Sequence, residues 1–483
     1  MQTNHPMFVE FHIIQNFAPT VLNRDQANLP KECYFGGTRR ARVSSQSWKR
    51  AVRENEEFVR IVGASHIGDR SKNLVRHLVQ RLHGKDAQKY ADQSEVAQLV
   101  SKFVAWYVDG SSGKAIDEKT GENYKTTVQL FFSTQEVDWL QEQLELNWNN
   151  LQPLQAEQKT LSDKLDSLQK DRKKKQEEAN AKAKEGDKKA KKTTIPQSDE
   201  EKKLEEQLGK NNPLSKKLQD MAKAVVGKAL VNRAGIKKTA VNAADIALFG
   251  RMVASNTDLN VDAACQYGQA ISTHSVQMET DFFVAMDDLP FPGDQGGDML
   301  GQQDYNGSCY YRYARVDLGQ LLFNLGDSEE LKDAERKAEI RQLAHKSVEG
   351  FARAFLESVP AAKRGSHDNN AEPTFALAVV RKRGRSWSMV NAFERPVPLS
   401  RAGFLCPSIE QFDNHWKRMH ASFDDPKDTT IQAALMLNVQ DNCPTPNLSA
   451  EGNAQTVVNA SDWAAQIADT LLPNANKESA QQL

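Results

Sequence analysis

Phe8-Val9-Glu10-Phe11-His12-Ile13-Ile14 reads as a β-strand: Phe8, Phe11, Ile13 and Ile14 form a short apolar run that stops before Pro19. The stretches around it decide how that strand is used. A loop, Leu22-Asn23-Arg24-Asp25, and the turn Phe35-Gly36-Gly37 lead into residues 38–53, where Ser44 or Ser45 can cap the start of a helix. Residues 60 to about 135 read as mostly helical. Much later come a strand at 310–318, a helix at about 332–358, a strand at 374–380, the basic turn Arg381-Lys382-Arg383-Gly384-Arg385 and a partner strand at 386–393. Residues beyond about 450 read as a weakly ordered tail. With the middle of the chain set aside, the order is strand, helix, long insertion, strand, helix, strand, strand. That order predicts an α+β fold, a sheet with helices on one face, of the ferredoxin-like or RNA-recognition-motif (RRM-like) class. The aromatic RNP1 signature of that class is absent.

The middle is of another kind. Val137, Leu140, Leu144, Leu151, Leu154, Leu161, Leu165 and Leu168 alternate at spacings of three and four, a heptad seam. The seam runs into residues 170–192, with eleven basic and five acidic residues, and ends before Pro196. Leu204, Leu208, Leu214, Leu218, Met221 and Val225 continue on a second stripe, interrupted at Pro213. The pattern predicts an inserted coiled-coil arm, two antiparallel helices joined by a disordered lysine-rich tip. Its lysines read as a solvated end.

Composition sets limits on function. The chain has 483 residues, 39% of them hydrophobic, with 63 Lys and Arg against 64 Asp and Glu. A net charge of −1 excludes a uniformly basic protein, so any basic site is local and balanced by acid elsewhere. No signal sequence and no stretch near ~20 apolar residues occurs, so a soluble, cytoplasmic protein without membrane partners is expected. Cys33, Cys265, Cys309, Cys406 and Cys443 are scattered without a CxxC, which argues against a disulfide framework and a metal site. No GxxxxGK[ST], HExxH or GxSxG motif is present, and no cofactor is expected. His12 and His274 read as packed side chains. Asp25 reads as a loop cap or ion-pair partner, and alternatively as a metal-binding carboxylate.

The local basic site is residues 38–53. Arg39, Arg40, Arg42, Lys49, Arg50 and Arg53 fall there with no acid among them. Arginine forks, Ser and Gln donors and a helix start suit phosphate. The same residues also suit a solvated helix face, and Arg381–Arg385 divides the same way between phosphate contact and plain surface. Phe282 and Phe283 either stack on bases or split between core and surface.

Taken together, Leu22-Asn23-Arg24-Asp25, Phe35-Gly36-Gly37, Arg40-Ala41-Arg42-Val43-Ser44-Ser45-Gln46-Ser47 and Lys49-Arg50-Ala51 resemble the CasC-type backbone subunit of type I-E CRISPR Cascade. Ala244-Asp245-Ile246-Ala247-Leu248, Gly250-Arg251-Met252, Ala270-Ile271-Ser272-Thr273-His274, Asp287-Asp288, Tyr311-Arg312-Tyr313-Ala314, Asn391-Ala392-Phe393-Glu394 and Gly403-Phe404-Leu405 extend the match, in chain order, over roughly 1–135 and 236–425. The arm lies outside it. The resemblance implies an RRM-like palm (1–60, 236–252, 301–450), helical fingers (61–136) and a β-hairpin thumb (253–300); the arm (137–235) and the tail (451–483) rest on the sequence pattern alone.

It also implies a CRISPR RNA-binding protein whose copies stack head to tail along the guide spacer. Its partners are then target DNA, other Cascade subunits and an effector nuclease recruited through the complex. Arg24, Ser44, Gln46, Lys49, Arg50 and Arg53 are implied RNA-backbone contacts, and Met252 lies against the bases. Lys31, Arg39, Arg40, Arg42 and Arg251 complete the candidate RNA-binding set, and Phe282-Phe283 is the candidate thumb wedge. Contacts to phosphate and shape suit a guide of any sequence. The expected function is non-catalytic. The alternatives are a backbone subunit that cleaves bound target RNA through Asp25, and an adaptor whose work lies in the arm.

Overall fold

The computed structural model describes the chain apart from residues 1–6, 112, 118–123, 187–193, 210–211, 234–235, 290–296, 329, 361, 363–369, 425–429, 440–441, 451–452 and 474–483. Parts of the expected lysine-rich tip, thumb and tail lie outside the described residues.

β1 (Phe8–Thr20) is the spine of a ten-stranded sheet. It runs antiparallel between β11 (Gly297–Asp317) and β12 (Phe375–Arg381), with Phe11 opposite Ala314 on one side and Ala378 on the other. Beyond β12 lie β13 (Ile431–Asn438) and the short parallel β14 (Gln455–Thr456). On the other side, β11 pairs with β8 (Cys265–Tyr267) and β9 (Ala270–Ser272), and β9 leads to β3 (Thr38–Val43) and β2 (Glu32–Phe35). β10 (Glu279–Met286) pairs with the first half of β11 as a hairpin.

The faces of β1 explain its sequence. Val9, Phe11 and Ile13 join one core with α10 (Ala334–Glu357) and α12 (Ala460–Leu471). Glu10, His12 and Ile14 face the opposite side, where α11 (Leu405–Phe423) packs Ile409, Phe412 and Trp416. Helices therefore cover both faces, not the single face expected. Two buried polar side chains on β1 find partners there. Glu10 receives Arg381 Nε at 2.7 Å, both fully buried, and burial pushes its carboxyl up against the pull of Arg381. His12 Nδ1 lies 2.9 Å from the Tyr311 hydroxyl, and burial holds its pKa down to about 3, a packed neutral imidazole.

Four sequence expectations change. Arg381 is neither a phosphate ligand nor plain surface, while Lys382, Arg383 and Arg385 are exposed. Residues 386–393 form no strand; Met389, Ala392 and Phe393 are buried at helical spacing in a short 3-10 turn, and β12 pairs with β13 instead. The expected tail contains α12, whose Trp463, Ala464, Ile467, Ala468 and Leu471 complete the main core, with the Trp463 indole donating to the Leu435 carbonyl at 2.9 Å. Cys406 and Cys443 form a disulfide across a Cα separation of 5.0 Å, a pairing that sequence spacing does not reveal.

A second core lies in the region expected as the fingers. It joins α3 (Leu74–Lys85), α4 (Gln93–Val108), the ribbon of β4 (Asp69–Ser71) and β5 (Leu130–Phe132), the base of α5 (Thr134–Gly186) and α7 (Pro213–Ala229). At 1.5 Å per residue, the 53-residue α5 is about 80 Å long. Val137, Leu140, Leu144, Trp148 and Leu151 are buried in this core. Farther out, Leu161, Leu165 and Leu168 are half-buried, and α6 (Asp199–Leu208) packs on that stretch. α6 carries five acids, and Lys164–Glu200 (2.7 Å) and Arg172–Glu201 (3.2 Å) pair across the two helices. The basic run thus has an acidic counterpart in the arm itself. β6 (Leu230–Arg233) and β7 (Ile236–Thr239) return the chain to the palm, where α8 (Ala244–Phe249) and α9 (Leu318–Leu325) pack in the main core. Among the described residues no helix is long and apolar enough to cross a membrane.

The arm divides energetically. Replacing 158–211 with a short Gly-Ser linker is expected to leave thermal stability and RNA binding unchanged. A cut from 150 to 215 also removes Leu151 and Leu214, which are 0% and 2% exposed. At about 2–5 kcal/mol per deleted buried leucine, that cut is expected to unfold the fingers. Thermal denaturation of both variants checks this; equal stability would contradict the shared core.

Candidate nucleic-acid interface

α1 (Ser45–Arg53) begins at Ser44, whose Oγ accepts the Ser47 N–H at 3.4 Å and whose own N–H donates to Asn23 Oδ1 at 3.0 Å. The 22–25 loop and the helix start are therefore one unit. Trp48 and Val52 turn inward, and Trp48 stacks on the buried Arg312 guanidinium at 3.8 Å. That leaves Gln46, Lys49, Arg50 and Arg53 on the opposite side, at spacings of three and four. Arg50 is well exposed and pairs with Glu54 at 2.9 Å, a surface pair worth about 1 kcal/mol or less that phosphate can displace.

α8 places the next component. Arg53 Nε donates to Asp245 at 2.7 Å and Arg53 also reaches the Gly68 carbonyl at 2.6 Å, clamping α1 to α8 and to the chain before β4. Burial pushes the Asp245 carboxyl up, opposed by the Gly68 N–H and Arg53. Lys49 Nζ lies 6.0 Å from the Phe249 ring centroid at the end of α8. The chain then turns at Gly250, where φ is +78° and a Cβ would stand 2.8 Å from the Val261 carbonyl. That turn sends Arg251 inward and leaves Met252 86% exposed.

The candidates divide by burial. Arg24, Arg39, Gln46 and Arg50 are exposed, and Lys31, Arg42, Ser44, Lys49 and Arg53 are half-buried. Arg39 pairs with Glu32 at 2.8 Å and Arg42 with Gln269 at 2.7 Å. Arg40 and Arg251 do not belong to the surface. Arg40 is fully buried and donates to the carbonyls of Ser272 (2.9 Å), Phe393 (2.8 Å) and Glu394 (3.2 Å), tying β3 to β9 and to the 389–394 turn. Arg251 pairs with buried Glu136 at 2.8 Å and donates to the carbonyls of Leu259 and Phe131, joining palm to fingers. Arg251→Met leaves Glu136 without its counter-charge in the core and is expected to cost about 3–5 kcal/mol, read by chemical denaturation. An unchanged unfolding midpoint would contradict the structural role.

Asp25 Oδ1 accepts the N–H groups of Ala27 (2.8 Å) and Leu29 (3.0 Å), the geometry of a loop cap. Arg24 and Arg50 line an open cleft of about 810 Å³ that Glu54, Glu56, Glu57 and Glu357 also line. Phe282 and Phe283 are 58% and 42% exposed on the β10–β11 hairpin, with Val284, Met286, Met299 and Leu300 also exposed. Gly301 lies opposite Phe283, and a Cβ there would stand 2.2 Å from the phenyl ring. Tyr34 lies outside the candidate set. It is 76% exposed on β2, directly across from Arg39, and the legible signal is an aromatic one hairpin turn from the basic run. His274 stacks on Phe404 at 3.6 Å and accepts the Cys309 N–H at 3.1 Å, and burial lowers its pKa: it is packed.

A family model described as CT1975-like protein matches residues 9–460. A solved chain titled "CRISPR RNA-guided surveillance complex, pre-nicking" superposes with a TM-score of 0.67 at 23% identity, covering 96% of this chain and all of that one. A second, titled "CRISPR RNA-guided surveillance complex", gives 0.58 at 21% identity, with 95% and 99% covered. Both likenesses establish the fold. No curated protein matches the sequence.

Proposed function

The chain belongs to the CT1975-like protein family, and from that premise we propose that it is a non-catalytic RNA-binding backbone subunit of a Cascade-type, type I-E-like CRISPR surveillance complex in the cytoplasm. The carrying observation is α1, which has no acid within its own span and presents Gln46, Lys49 and Arg50 on its outer side, with Glu54 just past its end as the exposed partner of Arg50. Met252, two residues past Gly250 at the end of α8, is exposed as well. A phosphate backbone runs along the cations and the thioether meets base faces, which holds RNA without reading its sequence. Arg24 and Arg39 extend the track, Ser44 and Arg53 organise it, and the palm keeps an RRM-like plan. Copies stack head to tail along the guide spacer, each laying its β10–β11 hairpin across the strand so that Phe282 and Phe283 wedge between bases. Target DNA then pairs with the guide, and other Cascade subunits and the recruited nuclease join the complex. The likeness to chains whose titles name RNA-guided surveillance complexes supports this reading.

The test is nuclease footprinting of a CRISPR RNA bound by the purified chain. Protection at a regular interval along the spacer is expected, and unprotected spacer would overturn the reading. Addition of Mg²⁺ and complementary RNA is expected to leave that RNA intact, because Asp25 serves the loop backbone. Cleavage at a regular spacing would instead support the nuclease alternative.

A further inference from the structure

The fingers contain a concavity that the candidate set does not include. It measures about 380 Å³, with Phe132 at its floor and Arg70, Arg76, His77 and Gln80 around it; Asp69 is its acidic group. Arg70, Arg76, His77 and Gln80 are all exposed. Among the described residues no carboxylate forms an ion pair with Arg70 or Arg76, whereas Arg50 and Arg53 on α1, Arg60 on α2 (Glu56–Val62) and Arg81 on α3 itself each have one. Phe132 is buried in the core beneath and forms only the floor. The two guanidiniums without a carboxylate partner, with an amide and an imidazole between them, are the donors that phosphodiester oxygens engage.

Its place in the fold links it to α1. Arg53, the last residue of α1, hydrogen-bonds the Gly68 carbonyl and lies 4.7 Å over the Phe131 ring. Asp69–Ser71 then pairs with Leu130–Phe132, with Arg70 opposite Phe131. One ladder thus carries the chain from the end of the cationic helix to the concavity. The geometry points to a second nucleic-acid subsite in the fingers, in which Arg70 and Arg76 take phosphodiester groups of the RNA strand that leaves α1. This inference rests on the RNA-binding reading and assigns a further segment of the strand's path.

The test uses the full chain, a labelled single-stranded RNA of generic sequence and four proteins: wild type, Arg70→Glu with Arg76→Glu, Lys49→Glu with Arg50→Glu, and Lys202→Glu with Lys203→Glu on α6 as a charge-matched control. The pocket variant is expected to bind about tenfold or more weakly at physiological salt, with its log–log salt slope reduced by about two and its thermal unfolding unchanged. The α6 control is expected to bind as wild type does. Photocrosslinking of thiouridine-substituted RNA is expected to label the peptide spanning 69–80. Wild-type affinity and slope in the pocket variant, with no crosslink at 69–80, would overturn the subsite. Retained RNA affinity with lost stacking of copies on the RNA would reassign the pocket to a protein contact and overturn it equally. Failure of the wild type to bind RNA would strike the underlying reading and is distinguishable from both.

Discussion

Lys49→Glu with Arg50→Glu is expected to abolish retention of guide RNA while leaving the fold intact. Both residues stand on the outer side of α1, and Trp48 and Val52, which hold the helix in the core, are untouched. Among the described residues the ion pair lost is the exposed Arg50–Glu54 contact, worth about 1 kcal/mol or less, together with the approach of Lys49 to the Phe249 ring at 6.0 Å. The effect on RNA is far larger, because two phosphate contacts become two repulsions in every copy along the strand. Measured on one copy, the salt slope of binding falls by about two. On an assembled complex the loss multiplies, and RNA no longer co-purifies. Undiminished RNA with an unchanged slope would remove α1 from the interface.

Phe282→Ala with Phe283→Ala is expected to leave guide binding nearly unchanged and to weaken engagement of target DNA strongly. The hairpin is poorly suited to hold phosphate: from Met252 to Tyr311 the sequence contains no lysine or arginine, and Glu279, Asp281, Asp287 and Asp288 flank the rings. Beside those exposed acids stand the exposed apolar side chains Phe282, Phe283, Val284, Met286, Met299 and Leu300, and rings act on bases. A ring filling an interrupted stack replaces stacking worth roughly 1–3 kcal/mol per base. With one interruption per copy, the deficit accumulates along the complex. Target affinity of assembled complexes at matched salt reads it. Equal affinities would place the wedge elsewhere in the hairpin or remove it.

Local chemistry was legible from sequence and remote partners were not. β1 announced itself because a strand covered on both faces must be apolar, and α1 because Trp48 and Val52 alternate with cations at helical spacing. Arg40 looked like its exposed neighbours, since its burial depends on the Ser272 and Phe393 carbonyls, more than 200 residues away in sequence. Arg251 likewise finds Glu136 across 115 positions. The heptad seam gave the arm's helices but not the fact that α3, α4 and α7 cover its lower half. α12 carried a legible stripe at Trp463, Ile467 and Leu471, obscured by the polar residues on either side. The fingers concavity had no sequence signature, because β4 and β5 lie about 60 residues apart in sequence and only the ladder joins them.

Whether this chain is a repeating RNA-bound unit is read most directly by mass photometry of the chain on a series of single-stranded RNAs of increasing length. A repeating unit gives a mass that rises in equal steps, one chain for each fixed increment of RNA, with the Lys49→Glu, Arg50→Glu variant remaining at the mass of the free protein. A single bound chain whatever the RNA length, or no bound chain at all, would contradict it.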